Sequence, residues 1–185
     1  RTVHVRDLAI GGSAPIAVQS MAATRTIDVD ATMEQVRLLE EAGADLIRIA
    51  TDTPADVEAL AIIRSNTNAR LSVDLQENYR LAETVAPLVD KIRYNPGHLH
   101  HHERSRSIAD KVAYLVGIAG QNDCAIRIGV NAGSVAPDYA AKFPATPEGH
   151  ASAIVASAID HCELLDNLNF TNYLVSIKDS DPRVV

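Results

Sequence analysis

Tryptophan is absent and aromatic residues make up 4% of the chain, five Tyr and two Phe, so few platforms exist for stacking nucleic-acid bases. Cysteine is nearly absent: Cys124 and Cys162 form no metal-type pair and no disulfide framework, and read as buried small side chains suited to a reducing compartment. They cannot by themselves ligate a four-cysteine iron-sulfur cluster. No apolar run approaches the ~18 residues of a membrane span, and Arg1–Asp7 lacks the apolar core of a secretion signal. Positive charge is in deficit, 17 Lys and Arg against 24 Asp and Glu for a net charge of −7, which argues against a non-specific nucleic-acid surface. Missing too are the Gly-x-Gly-x-x-Gly fingerprint and the Gly-rich Lys-Ser/Thr phosphate loop. These absences leave a cytoplasmic globular chain with neither nucleic acid nor membrane as partner. They still permit a focused basic pocket, since local field and net charge are separate quantities.

What is present is a recurrence. The stretch Ala125-Ile-Arg-Ile-Gly-Val-Asn-Ala-Gly-Ser134 carries an arginine inside an apolar run that passes into a turn, and shorter versions stand at 46–50 and 91–97. Arg48, Arg93 and Arg127 thus occupy the same place in three strand-like runs, and Lys178 follows a fourth, 173–177. Four cations at corresponding strand positions in an acidic protein point to an anionic small-molecule substrate.

Along the chain, residues 3–12 predict a hairpin around Arg6 and Asp7, and 15–21 the first strand of a main sheet. Thr32 with Gln35 predicts a capping box opening a helix over 32–42 that stops at Gly43. A strand at 45–50 leads to a helix with Pro54 in its first turn, and a strand at 71–75 to a helix over 78–88 whose end Pro87 distorts. The fourth strand and its loop run to Gly97, followed by a polar loop with His98, His100, His101 and His102, whose adjacent imidazoles do not form a metal geometry. A helix burying Ile108, Val112, Leu115 and Val116 precedes the strand 125–130. After a long loop, a helix from Thr146 turns Ile154 or Val155, Ile159, Cys162 and Leu165 inward, and 172–177 is the sixth strand.

Strand-helix alternation with nearly unbroken apolar strands predicts an α/β fold with a parallel sheet covered on both faces. Polar residues at several strand ends favour a TIM-barrel-like arrangement over an open doubly wound sheet. A closed barrel needs about eight strands and typically ~250 residues. With six strands read here, the expectation is a partial barrel: residues 1–12 as an N-terminal hairpin and 13–185 as the first six β/α units of a longer enzyme.

Asn95, Asn131 and Ser134 sit in turns after strands four and five, where amide and hydroxyl groups can hold phosphate oxygens. Asp74 is placed to orient an arginine, accept a substrate hydroxyl or act as a base. The structural alternative pairs the arginines with Asp45, Asp74 or Asp90.

The motifs Ala14-Pro-Ile-Ala-Val-Gln-Ser-Met21 with Thr24-Arg-Thr26, Leu46–Ala50, Ile92–Gly97, Ile126–Ser134 and Val175-Ser-Ile-Lys-Asp-Ser-Asp181 run in order through the chain. Together they resemble the N-terminal barrel of the bacterial 4-hydroxy-3-methylbut-2-enyl diphosphate synthase family, iron-sulfur oxidoreductases of non-mevalonate isoprenoid synthesis. The resemblance implies that Arg48, Arg93, Arg127 and Lys178 hold the diphosphate of 2-C-methyl-D-erythritol 2,4-cyclodiphosphate, with Asn131 and Asp74 in the same pocket. It also implies a 4Fe-4S cluster bound by a separate domain, reduction by flavodoxin or ferredoxin, and a head-to-tail homodimer. The chain departs from the family where Asp74-Leu-Gln-Glu77 replaces the usual Asp-Ile-His-Phe, so Gln76 stands for a histidine, and it contains neither the cluster cysteines nor the family's later acidic residue. The expectation is a substrate-binding fragment, inactive alone and prone to self-association through open sheet edges. Two alternatives remain: a phosphosugar aldolase or lyase on the same fold, and a noncatalytic phosphate-ligand module.

Overall fold

The computed structural model describes residues 1–75, 78–101, 103–182 and 184. Gln76, on which the family departure turns, lies outside the described residues, as does His102.

Period-two segments alternate with helical ones throughout. Strands β1 (Val3–Val5) and β2 (Leu8–Ile10) pair antiparallel around Arg6, whose φ of 56° makes the turn. The main sheet holds β3 (Gln19–Met21), β4 (Leu46–Thr51), β5 (Leu71–Leu75), β6 (Lys91–Tyr94), β7 (Ala125–Asn131) and β8 (Tyr173–Lys178), all parallel in sequential order. Such an order is the half-barrel expected of consecutive β/α units, with β3 and β8 at its edges. The first main strand is shorter than the apolar run suggests, because only 19–21 pair with β4.

The connecting helices are α1 (Val29–Glu41), α2 (Pro54–Ser65), α3 (Ala82–Val85), α4 (Pro96–His101), α5 (Ile108–Gln121), α6 (Pro137–Ala140) and α7 (Pro147–Asn167). Helix α1 starts earlier than the capping-box reading placed it. Asp28 is the N-cap, accepting from the Ala31 amide, while the Thr32 hydroxyl is buried on Arg25 O and the Gln35 side chain accepts from Ala23 N. Thr53 and Asp56 form the capping box of α2. The 78–88 segment divides into 3-10, α and 3-10 turns, the last of them set by Pro87, which cannot continue the α ladder. The histidine-rich segment is helical rather than a loop over Pro96–His101, opened by the proline. In α7 the buried face is Ile154, Ala158, His161 and Leu165, while Val155 and Ile159 are about half exposed.

The strands are not uniformly apolar. Ile47, Ile49, Leu71, Val73, Ile92, Tyr94, Ile126 and Ile128 point outward into one core with Val36, Leu60, Ile63, Val112, Leu115, Ile154 and Leu165 from the helices. Each such fully buried aliphatic side chain contributes roughly 1.5–3 kcal/mol, so helix–sheet packing can hold the fold without an apolar interior. The alternate positions are Arg48, Ser72, Asp74, Lys91, Arg93 and Arg127, which give the inner face a polar surface. At the N-terminal end of that face, Val3 and Val5 of the hairpin pack on Leu46 and Ala125, with Leu174 beside them, forming an apolar floor. The hairpin is pinned there by reciprocal hydrogen bonds between His4 and Asn172, at 2.8 and 2.9 Å, and by Arg70 on Asp7 at 2.7 Å.

Candidate anion site

Above the apolar floor, the C-terminal halves of the strands surround a cavity of about 500 Å³ lined by Arg48, Asp74, Arg93, Asn95, Arg127, Asn131 and Lys178, with Met21, His98 and Ser176 among its other walls. Among the described residues, four lysine and arginine cations face a single carboxylate. The sequence reading placed all four at corresponding positions; the register corrects this. Arg93 and Arg127 are direct partners, but Arg48 is level with Ser72 and Lys91, and Lys178 pairs with Asn131, four residues beyond the Arg127 level. They converge because all share the inward-facing parity of adjacent parallel strands.

Asp74 is 5% exposed and accepts from Arg93 NH1 at 2.7 Å, with Arg48 NH1 at 4.0 Å. Arg93 NH2 donates to Gly129 O at 2.9 Å, so this guanidinium is held from both neighbouring strands. Gly129 makes the room: a Cβ there would stand 2.1 Å from Arg93 Nε. Asp45 and Asp90, the other acids considered as arginine partners, face away from the cavity arginines. Asp45 accepts from the Val18 amide, and Asp90 accepts from the Leu71 amide while lying near Arg6 and Arg64.

The remaining cations have donors to spare. Arg48 reaches Met21 Sδ, a weak acceptor, through Nε and NH2, and Arg127 donates Nε to Ser176 Oγ at 2.9 Å. The Lys178 ammonium has no hydrogen bond or ion pair among the described residues. Burial, with Arg48 and Arg93 alongside, lowers the pKa of Arg127, as expected where cations crowd without enough counter-charge.

The turn residues divide. Asn131 lines the cavity and accepts from the Gly133 amide through Oδ1, leaving its amide nitrogen available. Asn95 is committed at both ends: Oδ1 accepts from Gly97 N at 3.0 Å and Nδ2 donates to Ser134 Oγ at 2.8 Å. Ser134 lies behind the wall, donating to Asn131 O and tying the two turns together. A Cβ on Gly97 would fall 1.5 Å from Ser134 O, so this close approach requires glycine. Sequence reading missed Met21, His98, Gly129 and Ser176 as parts of the site. Parity along β7 and β8 could have found Gly129 and Ser176; nothing local distinguishes the others.

The thiols do not fit an iron-sulfur cluster. Cys124 is buried, donates to Ala86 O and Val89 O, and burial pushes its pKa up to about 12. The Cys162 thiol is also shifted upward, mainly by burial. Both shifts oppose the thiolate form that ligation needs.

Comparison with known proteins bears on the family. The GcpE TIM-barrel domain family matches residues 1–185. The chain is 54% identical over 185 residues to the 4-hydroxy-3-methylbut-2-en-1-yl diphosphate synthase (flavodoxin) of Rhodopirellula baltica, covering 100% of this chain and 48% of that protein. It is 43% identical over 183 residues to the protein of the same name from Cellvibrio japonicus, covering 98% and 46%. The chain therefore spans about half the length of these curated relatives. Among solved structures, a truncated 3-deoxy-D-arabino-heptulosonate 7-phosphate synthase from Thermotoga maritima aligns with a TM-score of 0.58 at 15% identity, over 98% of this chain and 58% of that one. Plasmodium falciparum HPPK-DHPS with pterin and p-hydroxybenzoate aligns with a TM-score of 0.57 at 11% identity, over 100% and 42%. Those two likenesses concern the fold alone. The match over its whole length and the identity to the curated synthases place this chain in the GcpE family, as its TIM-barrel domain.

Proposed function

We propose that this chain is the substrate-binding barrel of a synthase that reductively converts 2-C-methyl-D-erythritol 2,4-cyclodiphosphate to 4-hydroxy-3-methylbut-2-enyl diphosphate. The observation that carries the reading is the set of under-used cations around one cavity. Arg48, Arg127 and Lys178 retain donors that nothing in the described chain accepts, while the one lining carboxylate among the described residues is committed to Arg93 and Arg48. A diphosphate supplies the missing acceptors and charge, and guanidinium groups match phosphoryl oxygens bidentately.

In this reading Arg127, Arg48 and Lys178 hold phosphoryl oxygens, and Arg93 does so with an orientation fixed by Asp74 and Gly129. Asn131 donates its amide to a substrate oxygen, while Asn95 and Ser134 brace the turns that present it. Asp74 acts on orientation and on substrate hydroxyl placement. The reaction opens the cyclic diphosphate, adds two electrons and removes a hydroxyl. These residues bind and orient; the two electrons would be supplied from outside them, by a 4Fe-4S cluster on a separate domain and an external donor, flavodoxin or ferredoxin. A head-to-tail homodimer would bring the partner's cluster domain over the cavity mouth.

Calorimetric titration with the cyclic diphosphate tests the reading, with pyrophosphate as comparison. Saturable binding that prefers the cyclic ligand and weakens about 30-fold in Arg127→Ala supports it. A folded protein that binds neither, or binds both equally with and without Arg127, overturns it.

A further inference from the structure

Lys91 opens β6 two residues before Arg93, and its side chain lies on the same inner face. It is 2% exposed, and Nζ donates to Gln19 Oε1 at 2.5 Å across the interior from β3. That carbonyl is its one hydrogen-bond acceptor among the described residues, although an ammonium has further donors. Its register partner Ser72 is fully buried, and the Ser72 hydroxyl has no partner among the described residues. Two unspent polar groups thus lie side by side, one register level below Asp74, Arg93 and Arg127. Buried polar groups without partners cost free energy, so a place kept polar here, next to an apolar floor, suits a charge arriving from above.

We propose that Lys91 is a further positioning cation of the anion site, taking up a proton when the anionic substrate binds. The proposal rests on the diphosphate reading above and adds to it a group beneath the cavity wall. The groups around Lys91 are Gln19 from β3, Arg48 from β4, Ser72 and Asp74 from β5, Arg93 on its own strand and Arg127 from β7, with Leu46, Ala125 and the hairpin below. Asp74 is the one carboxylate among them, and two arginines already draw on it. Burial first, then the nearby Arg127 and Arg48 charges, push the Lys91 ammonium down to about 7. A diphosphate seated on the arginines offsets their field, and the charged form of Lys91 becomes favourable. Above pH 7 the free site then holds neutral Lys91, binding consumes a proton, and affinity falls as pH rises, by up to about tenfold per pH unit.

The test is calorimetry of the complete protein without reductant, titrated with the cyclic diphosphate in Tris and in HEPES, whose different ionisation heats report protons exchanged. The ligand's phosphoryl oxygens are strong acids and carry no proton at these pH values. We expect uptake of about one proton per site at pH 8 and little at pH 6. In Lys91→Met, of similar length and uncharged, binding should weaken and uptake vanish. Lys91→Arg, permanently charged, should bind without uptake. Tight binding with no uptake at pH 8, or uptake that persists in either variant, for example because His98 takes the proton, overturns the inference while leaving the diphosphate reading intact. Absence of binding in the unaltered protein removes both.

Discussion

Gly129 and Arg93 share one volume on adjacent strands: the Arg93 guanidinium lies where a Cβ on Gly129 would be, 2.1 Å from Nε, and NH2 donates to the Gly129 carbonyl. The missing side chain at 129 therefore sets the aim of a cavity cation. Gly129→Ala should displace Arg93 from Asp74 and weaken binding of the cyclic diphosphate about tenfold. The obstructed atoms belong to a flexible side chain, but its buried contact with Asp74 is lost as it moves, so stability should fall by about 2 kcal/mol. Titration beside denaturant unfolding separates the two effects; equal affinity with an unshifted Arg93 would contradict this account.

At the other tight glycine the obstruction is backbone, not side chain. Gly97→Ala drives a Cβ into the Ser134 backbone carbonyl, which only a shift of the 131–134 turn can relieve. The expected cost is about 3 kcal/mol of stability, read as a lower denaturation midpoint, together with loss of the Asn95 to Ser134 bridge.

Asp74→Asn keeps the shape of the carboxylate and removes the one negative charge that lines the cavity among the described residues. Breaking a buried ion pair by neutralising one partner costs about 3 kcal/mol. Simple anions such as sulfate should bind more tightly to the variant, while discrimination between the cyclic diphosphate and pyrophosphate should shrink, because Arg93 has lost its orienting partner. Competition titrations measure both directions.

Arg127→Ala removes a half-buried cation whose one hydrogen bond goes to Ser176. A charge-assisted contact is worth about 2 kcal/mol, so affinity for the cyclic diphosphate should drop about 30-fold. Thermal stability should hold or rise, since crowding with Arg48 and Arg93 is relieved. A marked loss of stability with unchanged affinity would make Arg127 structural.

His161 gives the protein an acid-sensitive point away from the cavity. Its Nδ1 is 3.0 Å from the Tyr94 hydroxyl, and burial lowers its pKa to about 4. The unfolded imidazole titrates near 6.5, so the unfolded state binds the proton first as pH falls. Stability is complete above about 6.5, declines down to about 4, and should be lower by roughly 2 kcal/mol at pH 5 than at pH 8. His161→Gln should flatten that slope in denaturant titrations across the range.

Much of this architecture was legible because each β/α unit carries its own signals. Thr53-Pro54 opens α2, Gly43 at a φ of 89° closes α1, and Pro87 sets the last turn of the 78–88 segment, all through local backbone chemistry. The errors fall where a tertiary contact took a residue that local rules had assigned. Thr32 and Gln35 look like a capping box, but their side chains are used by the 23–25 loop, and Asp28 caps the helix instead. Ile159 is apolar at a helical spacing, but the rotation of α7 buries His161 and Ala158 in place of it.

The same division runs through the candidate site. Which cations enter it follows from strand parity, because a charged residue within an apolar period-two run faces away from the helical core, and β4, β6, β7 and β8 each place at least one there while β5 places Asp74. Their mutual placement arises in the folded sheet. Register put Arg93 level with Arg127 but Arg48 level with Lys91, and sheet curvature carried Gln19 to Lys91 across three intervening strand pairings. Neither register nor curvature is written in any one segment, since both arise from how all the strands pack on their helices at once.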